Sequence, residues 1–560
     1  MARATRDLVG DLVRNGLELA QADKALPPIP PMELRIERPK EREHGDYSCN
    51  VALRLASAVR MPPMEVASAI SQRIMRAEPI AEVDVARPGF INIKLDENWQ
   101  RSQLLSVIEA GDQWGRIDLG AGQRVQVEFV SANPTGPLQV GNGRGAVLGD
   151  ALASVLDAAG FDVEREYYVN DAGAQIRLFG RTLYARYLQQ FGHEAALPDG
   201  GYQGAYMIDV AAKVKEESGE RWLEREEDPP EELSERGLQL MVEQIRADLA
   251  LLRVDFNHWQ RESALYNSVD GTSTYDVAMG RLRDGSFVIE KEGAVWFRSE
   301  DLGEDKDNVL IRSSGEPTYF ASDVAYHYDK FLTRDFDTVI DVWGADHQGH
   351  VARTKAAVSA VGGDGDALEV LLYQLVHLRR GEERVRMSKR TGEIVTLREL
   401  IEEVGADAAR FFMLQRSADA QMDFDLEAAA SADPRQNPVS YVKYAHARCA
   451  SVLRTAAEAG MAPSSEHLEL LASEQETALI GEILRLPELV ADMAIRREPH
   501  HLTYYAQSLA QAFTYFYDNC RIVVADEPEQ SAARLTLTQA SQAALAATLR
   551  MIGVEAPDEM

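Results

Sequence analysis

The chain has 560 residues, enough for several domains that each bury a core. Its 45% hydrophobic and 27% charged residues are those of an ordinary soluble protein, with no apolar run of transmembrane length. A net charge of −31 argues against a protein that coats nucleic acid, and three scattered cysteines argue against a structural zinc or a disulfide framework, leaving a reducing cytoplasm as the default setting.

Residues 1–20 mix Arg3, Arg6, Asp7, Asp11, Arg14 and Glu18 with apolar positions. That is an amphipathic helix pattern; a signal peptide needs an uncharged apolar stretch. Pro27–Pro31 is a proline-rich break, 43–47 a polar turn, Asn50–Arg60 a helix ended by Pro62-Pro63, and 89–95 an alternating strand. Residues 1–110 therefore read as a small α/β domain. Arg124–Phe129 alternates again, with Val125, Val127 and Phe129 on one face. A Pro/Gly loop follows, and then Val147, Leu148, Ala151, Leu152, Val155 and Leu156 recur at helical spacing. Strand, tight loop and helix open a Rossmann-type parallel-sheet domain, expected over 111–425. Residues 200–300 read as a helical, acidic insertion, and strand patterns return at 338–343 and 370–378. A junction at 426–437 leads into an all-α helical bundle over 426–560. Its stripe of Leu502, Tyr505, Leu509, Phe513 and Phe516 has core spacing.

Charge is uneven along the chain. Residues 224–236 are strongly acidic, whereas 379–398 carry Arg379, Arg380, Arg384, Arg386, Lys389, Arg390 and Arg398 against Glu382, Glu383 and Glu393. Acidic bulk with basic loops fits an enzyme that docks a folded RNA at chosen places. Gly136, Gly141, Gly143 and Gly145 allow close approach of backbone to a ligand, and a helix starting near Asn142 offers free N–H groups to phosphate. A tight structural connection explains such a turn equally well. The pattern is neither Gly-x-Gly-x-x-Gly nor a P-loop.

Residues 131–145, Ser-Ala-Asn-Pro-Thr-Gly-Pro-Leu-Gln-Val-Gly-Asn-Gly-Arg-Gly, resemble the "HIGH" loop of class I aminoacyl-tRNA synthetases. Arg386-Met387-Ser388-Lys389 resembles their "KMSKS" loop. The words at 166–173, 318–326, 343–347 and 437–448 make the resemblance specific to the arginyl family, almost end to end. It implies activation of arginine by ATP, which Mg²⁺ accompanies, and transfer to tRNA(Arg). It also implies an N-terminal domain that contacts tRNA, a bundle that reads the anticodon and a monomer with no membrane partner and no structural metal. Family members are often described as needing bound tRNA before they activate arginine.

Carried over residue by residue, Gln139, Asn142, Arg386 and Lys389 become the catalytic set. Gly136, Pro137, Gly141, Gly143, Gly344, Asp346, Met387 and Ser388 become the ATP contacts. Glu262 and Asp323 face the guanidinium, which needs anionic acceptors. Tyr319 orients it, Asn133 takes the α-amino group, and His347 or Asp346 completes the pocket. Tyr441, Tyr444 and Arg448 are candidates for anticodon reading, though core packing explains the tyrosines as well. The departures from the family are Gln139 and Asn142, where histidines are usual, and Lys389, which arginyl members commonly lack. Amides still donate hydrogen bonds without charge, so chemistry should slow without stopping. Two other readings are a silent paralogue that keeps tRNA binding and a ligase with a small-molecule acceptor.

Overall fold

The computed structural model describes residues 4–29, 32–76, 78–223, 229–385 and 395–560. The N-terminal part packs the helix Thr5–Ala22 and two shorter helices on an antiparallel sheet ordered Ile36–Glu37, Tyr47–Cys49, Phe90–Leu95, Ile80–Ala86. It has its own core, including Val9, Val13, Leu55, Ile70 and Ile91. Gly45 (φ +84°) is required there, because a Cβ would sit 2.7 Å from the Ile93 carbonyl oxygen.

At the centre is a five-stranded parallel sheet ordered Leu368–Tyr373, Thr338–Gly344, Arg124–Phe129, Asp162–Val169, His258–Arg261. Val125, Val127 and Phe129 are buried as their alternation predicts, but Gln126 and Glu128 on the other face are buried too. Helices cover both faces, so alternation here separates two kinds of interior rather than core from solvent. The polar side chains find partners inside: Gln126 Nε2 donates to Glu166 (3.0 Å), though its Oε1 accepts no bond from a described residue, and Glu128 meets the Lys330 ammonium. The helix Val140–Ala158 lies close on the sheet, since a Cβ on Gly149 would come within 2.2 Å of the Phe129 ring.

Residues 200–300 do not form one continuous excursion. The helices Ala174–Gln190, Tyr206–Ser218 and Glu231–Leu251 pack into a satellite core around Phe179, Leu183 and Met241. The chain then re-enters the main sheet as His258–Arg261. It leaves again for a three-stranded antiparallel sheet (Val288–Lys291, Ala294–Phe297, Asn308–Ile311). The expected strand at 370–378 is two strands: Leu368–Tyr373 ends the main sheet, and Val376–Arg380 pairs with Met422–Asp425 in another. Gln374 marks the break, bonding through its N–H to Ala418 (2.9 Å).

The C-terminal helices Pro438–Glu458, Glu474–Ile483, Leu486–Arg496, His501–Asn519 and Pro528–Ile552 form a bundle. Leu502, Tyr505, Leu509, Phe513 and Phe516 are all interior, as their spacing predicts. Asn437 caps the first of these helices and donates to the Ala429 and Ser431 carbonyls (both 3.0 Å), which fixes the junction. Buried Arg410 bonds Asp150 in the sheet-covering helix and the Ile552 carbonyl (2.6 Å), joining bundle to sheet domain. Arg38–Glu488 (2.9 Å) and Arg6–Asp492 (2.7 Å) tie the N-terminal part to the bundle. Among the described residues no helix is long and apolar enough to cross a membrane.

Candidate active site

The sheet order reverses between the neighbouring strands Arg124–Phe129 and Thr338–Gly344. Ligands of open parallel sheets bind beyond the carboxyl ends of strands at such a reversal. Those two ends lead directly into residues 131–139 and 344–347.

The first exit is strained. Val130 (φ 70°) and Ser131 (φ 38°) occupy left-handed backbone that non-glycine residues avoid, a β-branched one most of all. Ser131 Oγ donates to Glu128 (2.8 Å) and accepts from the Tyr168 N–H (3.1 Å). Tyr167 donates to the Ala132 carbonyl (2.8 Å) and Tyr206 to that of Thr135 (2.7 Å). Asn133 is exposed and donates to Gln175 (2.8 Å).

The following helix begins at Val140 with Gln139 as its N-cap, earlier than the expected start near Asn142. Asn142 Oδ1 accepts the Gln139 N–H (2.9 Å), so its NH₂ group is left to donate elsewhere. Gly141 opens on empty space, and Gly136 faces the Tyr206 hydroxyl, while Pro137 is half-buried. Gly143 is buried, and a Cβ would lie 2.6 Å from Leu397 Cδ1. Its lack of a side chain serves helix packing.

Arg386, Met387, Ser388 and Lys389 lie outside the described residues. The chain just beyond them meets the first loop directly. Thr396 bridges Gln139 in antiparallel fashion, and the Leu397 N–H donates to the Leu138 carbonyl (2.8 Å). At the second strand exit, a Cβ on Gly344 would lie 2.5 Å from Asp346 Oδ1. The Asp346 and His347 side chains are 83% and 54% exposed and 3.7 Å apart. They form an open rim, unlike the more enclosed acids Glu262 and Asp323.

Those acids lie on neighbouring elements. Glu262, 4% exposed, directly follows the last strand of the sheet. Asp171 pins this corner by accepting from the Ser263 N–H (2.8 Å) and hydroxyl (2.7 Å). Ser322 Oγ donates to Glu262 Oε1 (2.7 Å), and the Asn170 amide, oriented by its neighbours, donates to Oε2 (2.9 Å). Burial raises the pKa of Glu262, against the Ser322 hydrogen bond. Asp323 follows Ser322 on the helix Tyr319–Tyr328. Burial above all pushes its carboxyl up to about 6; His327 and Arg353 oppose the shift, and Glu128 and Asp341 add to it. Neither Glu262 nor Asp323 forms an ion pair with a described residue. Desolvated acids without a cation are costly to keep, which marks the place as one that receives a cation. Tyr319, 44% exposed, stands on the first turn of the same helix with its hydroxyl against Gly173.

Sequence reasoning passed over Ser322, Asn170 and Asp171 as individual residues. Asn170 and Asp171 stand within the word at 166–173, and Ser322 adjoins Asp323, so the signal was present without a role attached. In the bundle, Tyr444 is exposed with Arg448 stacked over its ring (4.4 Å) and over Tyr517 (4.6 Å). Tyr441 instead packs inward and donates to Thr514 (3.1 Å).

A parallel sheet with a capped loop at its reversal is a nucleotide-binding architecture, joined here to a helical bundle. The family model described as "tRNA synthetases class I (R), catalytic domain" matches residues 103–447. The arginyl tRNA synthetase N-terminal domain matches 12–95 and the DALR anticodon binding domain 442–560. The chain is 47% identical to the arginine–tRNA ligase of Dehalococcoides mccartyi, covering 100% of this chain and 99% of that one. It is 44% identical to that of Geobacillus kaustophilus, covering 98% and 97%. The Thermus thermophilus arginyl-tRNA synthetase structure has the same fold, with a TM-score of 0.76 at 24% identity over 99% of this chain and 100% of that one. The chain belongs to the arginyl-tRNA synthetase family.

Proposed function

We propose that this cleft activates arginine with ATP and passes it to tRNA(Arg), with the chain's own residues in the following roles. Asp323 and Glu262 grip the guanidinium, and Tyr319 covers it. Asn133 holds the α-amino group at the other end of the substrate. The arginine carboxylate then attacks the α-phosphorus, the bond to the β-phosphate bridge breaks, and pyrophosphate leaves. In the second step a hydroxyl of the terminal tRNA adenosine attacks the acyl carbon and AMP leaves. The enzyme's part is to position the reactants and to aim donors at developing charge.

The helix N-terminus at Gln139–Asn142 supplies N–H groups and two amide side chains toward the phosphates. Arg386 and Lys389, with Met387 and Ser388, close over the leaving pyrophosphate. Supporting this is the bridge between Thr396 and Gln139, which anchors the far end of the basic segment at the first loop. Gly344 and Asp346 line the adenosine side. Mg²⁺ enters as the ATP complex, held largely by phosphates. The reading extends to a monomer in the cytoplasm, where the three buried free thiols stay reduced.

One observation carries the proposal: buried Glu262, held by Ser322 and Asn170, and half-buried Asp323 have no ion-pair partner among the described residues, beside a strained nucleotide-type loop. The test is arginine-dependent ATP–pyrophosphate exchange with and without tRNA(Arg), followed by charging of the tRNA. Exchange that requires tRNA, together with charging, is expected. Absence of both would assign the chain to the silent-paralogue reading, and exchange without charging to the small-acceptor reading.

A further inference from the structure

We infer that Lys330 is a positioning residue for arginine activation: its buried ammonium ties the strained turn before Asn133 to the helix that carries Asp323. This rests on the pocket assigned above and adds to it a residue that touches no substrate.

Lys330 is fully buried in a π-helical turn, Asp329–Thr333, that continues the Asp323 helix. A π turn rotates side chains out of the register an α-helix would impose, and such turns gather at functional sites. Here Lys330 Nζ lies 2.5 Å from Glu128 Oε2 and 2.9 Å from Asp341 Oδ1, one acid on each of the two strands flanking the reversal. The other oxygen of each acid leads to one end of the pocket. Glu128 Oε1 accepts from Ser131, whose φ of 38° needs external support. Asp341 Oδ2 lies 3.0 Å from His327 Nε2, and His327 Nδ1 lies 2.8 Å from the Asp323 carbonyl oxygen. The path Ser131–Glu128–Lys330–Asp341–His327–Asp323 is continuous, with every link at hydrogen-bond distance.

Stability alone is a poor reason for this construction. A buried ion pair gains little over well-packed apolar residues of similar volume, because desolvation cancels most of the attraction. What it does supply is direction: hydrogen bonds at both acids fix distances that apolar packing leaves loose. Arginine is long and held at both ends, so the spacing between the Asn133 loop and Asp323 decides whether its carboxylate meets the phosphate. Misplacement by about 1 Å costs on the order of 100-fold in rate.

The experiment measures kcat and KM for arginine and for ATP in pyrophosphate exchange, with thermal melting alongside. Lys330→Met should lower kcat/KM for arginine about thirtyfold, within that misplacement cost, and leave ATP KM within about threefold. The triple variant Lys330→Met, Glu128→Gln, Asp341→Asn carries no unpaired buried charge at these three positions; it should melt near the parent yet keep the lowered kcat/KM for arginine. Recovery of both would make Lys330 purely structural and overturn the inference. Should these variants fail to fold, Ser131→Ala and His327→Phe decide, since both leave Lys330 paired. If the path couples the two ends, the double variant's kcat/KM for arginine stays within about twofold of the worse single; multiplying effects mean independent ends and refute the coupling. Asp323→Ala serves as the reference: unaffected arginine use in that variant would overturn the pocket itself, whereas a large loss with multiplying effects overturns only the role of Lys330.

Discussion

The ends of the cleft proposed to hold the guanidinium and the phosphates are built on opposite principles. At the guanidinium end, Glu262 is interior, each of its oxygens receives a hydrogen bond, and Asp323 is desolvated enough to titrate near 6. At the phosphate end, Gln139 and Asn142 are half-exposed amides at a helix start, and Asp346 and His347 stand in solvent. The contrast follows from what each end must do. Selecting one cationic side chain requires unscreened charge, which only a dry, rigid site provides. Phosphates bring their own charge and their own Mg²⁺, so oriented donors are sufficient, and the site stays open for a second loop and for tRNA. On that proposal Gln and Asn at 139 and 142 are tolerable here, while a neutral replacement of an acid at the other end costs more.

The comparison is broken most severely by Asp323→Ala. Leaving the guanidinium half-paired in a desolvated site costs about 3–5 kcal/mol, on the order of 10²–10⁴-fold in kcat/KM for arginine. ATP KM should change by less than about threefold, since that end uses other residues. Glu262→Gln keeps shape and loses charge, about 1.5–3 kcal/mol, so a loss of about 10–100-fold is expected in the same assay.

Acidity sharpens the contrast further. With its carboxyl near 6, Asp323 becomes neutral as pH falls, and arginine KM should climb about tenfold per unit below that point. The free protein responds in the opposite sense. A carboxyl whose folded pKa lies above its unfolded value, about 4, favours the folded state most below that value and loses this contribution as pH rises through about 6. Asp323→Asn should therefore stabilise the free protein at pH 8, by on the order of 2 kcal/mol, and hardly at pH 4. Melting curves at the two pH values would show it; equal shifts at both would contradict the assigned burial effect. The smallest effect is expected from Gln139→His, which adds charge to a neutral donor: a gain of at most about tenfold in exchange rate, from the 1–1.5 kcal/mol separating charged from neutral hydrogen bonds. A large loss would mean that the N-cap, where Thr396 bridges Gln139, does not accept a ring.

Local chemistry was enough to read much of this molecule. The strand at 124–129, the glycine-rich exit from it, the bundle stripe from Leu502 to Phe516 and the family words all depend on residues close in sequence, whose period or spacing survives without tertiary context. What required the folded chain was every feature made by distant partners. Gln126 and Glu128 sit on what a period-two pattern marks as a wet face, yet Glu166 and Lys330 complete them inside a doubly covered sheet. The packing role of Gly143 is visible only once Leu397 is folded against it. Residues 200–300 concealed the strands His258–Arg261, Val288–Lys291 and Ala294–Phe297 because four residues carry too short a pattern to stand out among helices. Ser322 and Asn170 acquire meaning only once Glu262 is folded against them. Sequence by itself therefore determined the family and the elements with long, regular patterns. The tertiary structure decided which polar groups are buried and to what they are bonded, because desolvation is a property of the surroundings and not of a residue.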